Sequence, residues 1–574
     1  MKKILITCLS VVVFFAGTLK AQTIQNGINF IYEERYQSAK SVFEKLLDVN
    51  PNNIEATYWL GQTFIAMNNV PAARQLYEKA LAASANAPLL IVGMGHVELL
   101  ENKPTDARQR FEAAITMTRT KKGDDPDILN AIGRANIDAK AGDLAYAIDK
   151  LETASKRDPK NPDIFLNLGN AYRKARPGEN GGKAYQNYKQ ALAVDPNFAI
   201  AYYRIAKLFE TQQNWELFTE NLDLAVAKDP GFGPAYYDLY YYYLLRVDPA
   251  TGKIDFTKAD DYAKKFIANT DPDVQNEYLR AQTLWAQKNF AEAINVAKGI
   301  ISKAGDQTKP RTYKLLAYSY VGEGDTAQAK TYIDQYFSKE DKEKLVPPDY
   351  LLKADIYSGT PGVNPNEVVK TFQDAVNADT LLQSKIDLLK KGAALFKSKK
   401  LYVQEARMEQ MIVDLKPNPS LFDMFSVGLS YYLAGMYDTS RNVFLKVQNK
   451  FPDEVYGYEM AWNNSRVIDS TKKDSIAVPD AIKLFEFAQK DTAKYKSQYL
   501  NSAGFLATYY ANDAKDAAKA LDYINKMLLV DPSNANLNDI KTQLENSLKK
   551  QPPNQKNPSG GNVSNRPATG KEQR

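Results

Sequence analysis

Asp-Pro occurs at Asp158-Pro159, Asp195-Pro196, Asp229-Pro230 and Asp271-Pro272, at intervals of 37, 34 and 42 residues, each time after an apolar-periodic segment. Proline cannot continue the preceding helix, because it lacks the N–H donor and its ring clashes with the previous turn, but it is tolerated where a helix begins. Each Asp-Pro therefore reads as a stop followed by a restart. A chain punctuated at this period is expected to be an array of small helical units rather than one globular core.

A second spacing holds inside the units. A small residue is followed four positions later by a bulky one, and three after that by a small or apolar one: Ala39/Phe43/Leu46, Ala73/Tyr77/Ala80, Ala107/Phe111/Ala114, Ala147/Leu151/Ala154, Ala184/Tyr188/Ala191, Ser440/Phe444/Val447 and Ala481/Phe485/Ala488. Steps of four and three put all three residues on one helical face. Upstream lie Leu60-Gly61, Ile132-Gly133, Leu168-Gly169 and Val427-Gly428, where a missing side chain lets a second helix approach. The predicted unit is a helical hairpin.

These signposts, in the order apolar-Gly, aromatic, Ala, aromatic, Ala, Asp-Pro, resemble the tetratricopeptide repeat, most clearly in "ATYWLGQTFIAMNNVPAARQLYEKAL" and "IFLNLGNAYRK…GGKAYQNYKQALAVDP". The resemblance covers about fourteen units, from residue 23 to about 540. It implies an all-α, right-handed superhelical solenoid of stacked hairpins, its concave surface lined mainly by the first helix of each pair. One hairpin cannot bury its apolar face alone, so stacking is obligatory. The expected divisions are an N-terminal array over 22–272, central units over 273–346, degenerate units over 347–418 and C-terminal units over 419–548.

Composition matters at the two ends. The stretch "MKKILITCLSVVVFFAGTLKAQ" has a basic start at Lys2 and Lys3, an apolar run from Ile4 to Phe15 and small residues before Gln22. It reads as a signal peptide over 1–21, cleaved after Ala21, so the protein is expected to be exported, either periplasmic or peripherally associated with the outer membrane. Cys8 is the only cysteine and lies inside that segment, which removes disulfides and thiol nucleophiles from the mature chain. Residues 549–574, rich in Pro, Gly and Asn, are expected to form a disordered polar tail. No later stretch reaches the roughly 18 consecutive apolar residues of a membrane span. The signal segment and the tail together hold all of the net charge of +6, so the body is neutral and has no electrostatic footprint for nucleic acid.

Catalysis finds little to work with. His96 is the only histidine, there is no Cys/His metal set or Ser/His/Asp arrangement, and no carboxylate pair recurs outside capping and repeat positions. Neither an enzyme, nor a cofactor, nor a bound metal is expected.

The segment "PAYYDLYYYYLLRVDP" places six tyrosines in eight positions. On a helix over 235–245, Tyr236, Leu239, Tyr240 and Tyr243 share the face of the packing positions. Tyr237, Tyr241 and Leu244 fall on a neighbouring face, which the family resemblance turns toward the concave groove. That same face collects Asn130, Arg134, Asn170, Arg173, Lys174, Tyr203 and Lys207 before the cluster, and Tyr278, Gln282, Trp285, Lys314 and Tyr318 after it. Aromatic groups with polar tips interspersed with amides and cations suit an extended protein segment. The expected function is an exported protein-interaction scaffold of the cell envelope, with envelope proteins as partners. The alternative is a glycan- or solute-binding protein stacking its ligand on Tyr237, Tyr241, Tyr278 and Trp285, although a small molecule ranks behind a protein.

Five Asp-Ser/Thr tripeptides resemble an acceptor sequence for O-glycosylation of exported bacterial proteins, with Thr326, Thr380, Ser470, Ser475 and Thr492 as the acceptors.

Overall fold

The computed structural model describes residues 23–84, 86–248, 251–470 and 475–550. The segment 1–21 expected to be a signal peptide, Cys8 within it, Asp474 and the tail beyond 550 lie outside the described residues. Among the described residues there are 29 α-helices, three short 3-10 turns, two isolated β-bridges and no strand, and none of the helices is long and apolar enough to cross a membrane. The fold is the all-α superhelical solenoid of hairpins.

The chain divides into two compact units, up to Tyr336 and from Phe337. The first holds α1 (Ile24–Tyr32), α2 (Tyr36–Val49), α3 (Ile54–Ala66), α4 (Val70–Ala83), α5 (Pro88–Leu100), α6 (Pro104–Thr118), α7 (Pro126–Asp138), α8 (Leu144–Arg157), α9 (Pro162–Ala175), α10 (Gly181–Val194), α11 (Ala199–Thr211), α12 (Trp215–Lys228), α13 (Gly233–Leu245), α14 (Phe256–Ala268), α15 (Tyr278–Ala286), α16 (Phe290–Ala304), α17 (Pro310–Glu323) and most of α18 (Thr326–Lys339). The second holds α19 (Pro347–Gly359), α20 (Pro365–Ala378), α21 (Leu382–Ser398), α22 (Tyr402–Leu415), α23 (Leu421–Leu433), α24 (Tyr437–Lys450), α25 (Val455–Ile468), α26 (Ala477–Gln489), α27 (Lys496–Asn512), α28 (Ala517–Val530) and α29 (Ala535–Lys550).

The Asp-Pro signal works slightly differently from the expectation. Asp158, Asp195 and Asp229 are the C-caps of α8, α10 and α12, and their carboxylates accept from the N–H of Lys160 at 3.1 Å, Asn197 at 2.9 Å and Gly231 at 2.9 Å. The prolines sit inside that side-chain-supported turn, and the next helices open only at Pro162, Ala199 and Gly233. Starts are fixed instead by side-chain caps, such as Asn53 accepting from Ala56 N–H at 3.0 Å and Asp143 from Tyr146 N–H at 3.0 Å.

The glycine-bulky pairing explains why the hairpins close. A Cβ on Gly61 would lie 2.1 Å from Tyr77 Cζ, on Gly133 2.5 Å from Leu151 Cγ, on Gly169 2.4 Å from Tyr188 Cε1, and on Gly428 2.6 Å from Phe444 Cζ. The bulky residue of each second helix thus fills the space vacated by the glycine of the first. Tyr77, Tyr188 and Phe444 are fully buried as a result. In the second unit, the α21–α22 hairpin within 347–418 keeps this contact with other residues. Gly392 of α21 faces Met408 of α22, whose Sδ would be 2.9 Å from an added Cβ. Packing demands a small-against-bulky contact rather than one residue type, so the pattern blurs in sequence while the hairpin persists.

Helix α13 begins at Gly233, and its core stripe is not the one expected. Tyr236, Leu239 and Tyr240 are buried, but so is Leu244, packed with Ala259, Ala263 and Leu279, whereas Tyr243 is half-buried and stacked on Tyr262 at 5.5 Å. The helix packs on α14 and also on the following pair, so its apolar stripe runs through steps of four, from Tyr236 to Tyr240 to Leu244.

Candidate functional site

In the first unit, residues 23–271 close into a ring. Asp271, which follows α14, accepts from Gln37 N–H at 2.7 Å and from Ser38 Oγ at 2.5 Å, at the start of α2. Beside it, Glu33 is buried, pairs with Arg35 at 3.1 Å, and lies within electrostatic reach of Asp229 and Asp271. Burial first, then the charge of Asp229, pushes the Glu33 carboxyl up to about 7.

The ring interior is crossed by a polar layer. Asp163, in the first turn of α9, accepts from the Tyr32 hydroxyl, from Arg134 Nη2, from Asn130 Nδ2 at 2.7 Å and from Asn167 Nδ2 at 3.1 Å. Asn167 also donates to Asn130 Oδ1 at 2.9 Å, and Arg134 lies over the Trp59 ring at 4.5 Å while donating to Tyr58 Oη at 3.3 Å. Tyr32 packs edge-on against Phe198 at 5.8 Å. Burial, and next the charge of Asp163, holds the Tyr32 hydroxyl well above its usual range, so it remains a donor.

This layer separates two chambers, because Tyr32, Trp59, Arg134 and Ile200 line both. The first, about 790 Å³, is walled by the N-terminal ends of the first helices and carries Glu55, Asp127 and Asp163. The second, about 1150 Å³, lies at their C-terminal ends and carries Asn170, Arg173, Lys174, Tyr203 and Arg204. His96 belongs to its wall: Nδ1 meets Gln62 Oε1 at 3.1 Å, Nε2 meets Asp138 Oδ2 at 3.0 Å, and Gln62 Nε2 donates to Tyr77 Oη at 3.1 Å. The lone histidine is 2 % exposed and acts as a cross-brace between α3, α5 and α7.

Apart from Lys207, the groove residues singled out from sequence fall into three places. Asn130 and Arg134 are in the layer, where their polar groups serve Asp163. Asn170, Arg173, Lys174 and Tyr203 line the second chamber, with Asn170 Oδ1 accepting from Tyr188 Oη at 2.8 Å and Lys174 Nζ donating to Ile137 O. Lys207 is neutralised by Glu210 at 2.5 Å and Asp238 at 3.0 Å.

The remainder form a half-buried row on α13, α15 and α17. Tyr237 meets Tyr241 at 4.9 Å, Tyr241 Oη donates to Gln282 Oε1 at 3.0 Å, Arg311 lies over Tyr278 at 4.4 Å, Trp285 meets Tyr318 at 5.5 Å, and Lys314 lies over Tyr336 at 5.4 Å. Sequence reasoning missed Tyr32, Trp59, Asp163 and Arg204. Asp163 carries no local signal beyond that of an acid in the first turn of a helix, and Tyr32 comes near it only through ring closure.

Of the acceptor tripeptides, Thr380 and Ser470 are exposed, while Thr326 and Thr492 are half-exposed. Ser475 Oγ lies 2.7 Å from Tyr509 Oη, and the buried Asp469 accepts from Ile476 N–H at 3.1 Å.

Stacked hairpins with a small-against-bulky contact, closed into a ring with a lined interior, define a helical-repeat scaffold. Residues 30–91 and 424–454 match the family described as Tetratricopeptide repeat, and residues 135–175 match that described as TPR repeat. The chain is a tetratricopeptide-repeat protein, a class that supports protein–protein interaction.

Among solved structures, the chain is similar to the C-terminal part of a TPR repeat-containing protein from Cytophaga hutchinsonii, at 23% identity over 46% of this chain and 98% of that one, with a TM-score of 0.25. It is also similar to a tetratricopeptide repeat protein from Parabacteroides merdae, at 18% identity over 46% and 97%, with a TM-score of 0.36. A third is YrrB, a TPR protein with an unusual peptide-binding site, at 19% identity over 34% and 96%, with a TM-score of 0.22. No curated protein matches the chain.

Proposed function

We propose that the chain is an exported scaffold of the cell envelope that holds an extended segment of a protein partner along the aromatic row of α13, α15 and α17. The observation that carries this reading is the row itself. Tyr237, Tyr241, Tyr278, Trp285 and Tyr318 are half-buried on three successive first helices, large contact areas held rigid by their neighbours. Asn130 and Arg134, by contrast, are engaged by Asp163, which favours this row over them as the partner surface. Export rests on Lys2, Lys3 and the apolar run that follows them.

The test is a photoreactive residue in place of Tyr241, crosslinked in cells, with the adducts read by mass spectrometry. A discrete protein adduct that disappears in a Tyr237→Ala background is the expected result. No adduct from a folded protein overturns the row as a partner surface. Export is checked on the same preparation, where the mature N-terminus is expected at Gln22.

A further inference from the structure

The geometry points to the second chamber as a binding site for a small molecule bearing a carboxylate or phosphate group, held between Arg173 of α9 and Arg204 of α11. This site is separate from the aromatic row and does not depend on it.

Guanidinium groups elsewhere inside the first turn are matched. Arg134 pairs with Asp163, Arg35 with Glu33 at 3.1 Å, and Arg110 with Glu98 at 2.6 Å. Arg173 and Arg204 line the chamber yet make no hydrogen bond or ion pair among the described residues, and Arg204 Nε is buried without a partner. Both come from neighbouring first helices, and both act on the buried Tyr188 hydroxyl behind them: burial raises it, and these two guanidiniums oppose that rise.

The nearby carboxylates leave the pair available. Asp138 is held by His96 at 3.0 Å, and Glu34, at the chamber rim, is within electrostatic reach of Arg204 but forms no ion pair with it. A guanidinium matches a carboxylate or phosphate through parallel N–H donors, and two of them lining one partly desolvated cavity make a strong anion receptor. Trp59, Ile200 and Leu208 supply apolar wall for the body of the molecule. Because the Tyr32–Asp163–Arg134–Trp59 layer closes the floor, the chamber suits a finite molecule rather than a chain threaded through the ring.

The experiment is calorimetric titration of the full chain at low salt with inorganic phosphate, pyrophosphate and citrate in turn. Saturable binding of at least one is expected, weakened about tenfold or more in R173Q/R204Q, as loss of a charge-assisted bidentate contact predicts. Should that variant not fold, arginine-selective labelling of the wild type gives the same answer. Arg173 and Arg204 are expected to lose reactivity with the anion present, while the exposed Arg176 keeps its own. Absence of binding by all three anions, binding unchanged in a folded double variant, or undiminished labelling with the anion bound would each overturn the assignment. Binding of an acidic peptide alone, with none of the three anions bound, would overturn it too.

Discussion

Asp271 caps the first turn of α2 at Ser38, from 233 residues away, with its Oδ1 accepting from Ser38 Oγ at 2.5 Å. Helix α2 has no side-chain cap of its own, since Arg35 occupies that position and its side chain pairs with Glu33 rather than capping the helix. The start of the solenoid is therefore completed by the end of its seventh hairpin.

Asp271→Ala is expected to leave the first turn of α2 with unsatisfied donors, a loss of about 0.5–2 kcal/mol for a helix cap. Hydrogen exchange should accelerate at the amides of Gln37 and Ser38 and along α1, with α9 and α10 little changed. Uniform exchange across the ring would show that closure does not depend on this cap.

Asp163→Ala removes the acceptor shared by Tyr32, Arg134, Asn130 and Asn167. Leaving such donors buried without a partner is expected to lower stability by about 1–3 kcal/mol. Urea unfolding followed by Trp59 fluorescence in a protein retaining only that tryptophan would read the loss locally. An unchanged midpoint would mean that water replaces the carboxylate at no net loss.

Gly61→Ala sets two effects against each other. Alanine gains about 1 kcal/mol of helix propensity over glycine. The new Cβ, however, would stand 2.1 Å from Tyr77 Cζ and must displace a ring whose hydroxyl donates to Tyr58 O at 2.7 Å, an overpacking cost of about 1–3 kcal/mol. The expected net result is a lower melting temperature, recovered in part by Gly61→Ala combined with Tyr77→Leu, which empties the space.

Ring closure is expected to strengthen as pH falls. The Glu33 carboxyl is raised to about 7 by burial and then by Asp229, above its ordinary value of 4.5. The folded state therefore holds this proton more tightly than the unfolded chain. The resulting stability is fully present below about 4.5 and is lost as pH rises through about 7. The denaturation midpoint of the first unit should rise on going from pH 8 to pH 5.5, and Glu33→Gln should flatten that dependence. Equal slopes in the two proteins would assign the pH effect to other groups.

What the sequence determined is local. The steps of four and three, the glycine-bulky pairs and the Asp-Pro turns each act within one hairpin, over fewer than about 45 residues, where spacing translates directly into a helical face. They sufficed to define the hairpin and the stack. What the tertiary structure decided is long-range. Tyr32 and Asp163 are 131 residues apart, and Ser38 and Asp271 are 233 apart, so no periodicity brings them together. Their meeting depends on the small rotation between neighbouring hairpins, accumulated over seven of them, until the first turn closes on its own start. That accumulated angle made Arg134 a structural ion pair, left Arg173 and Arg204 facing a chamber, and started the half-buried aromatic row on the seventh hairpin, from which it runs onto the two that follow.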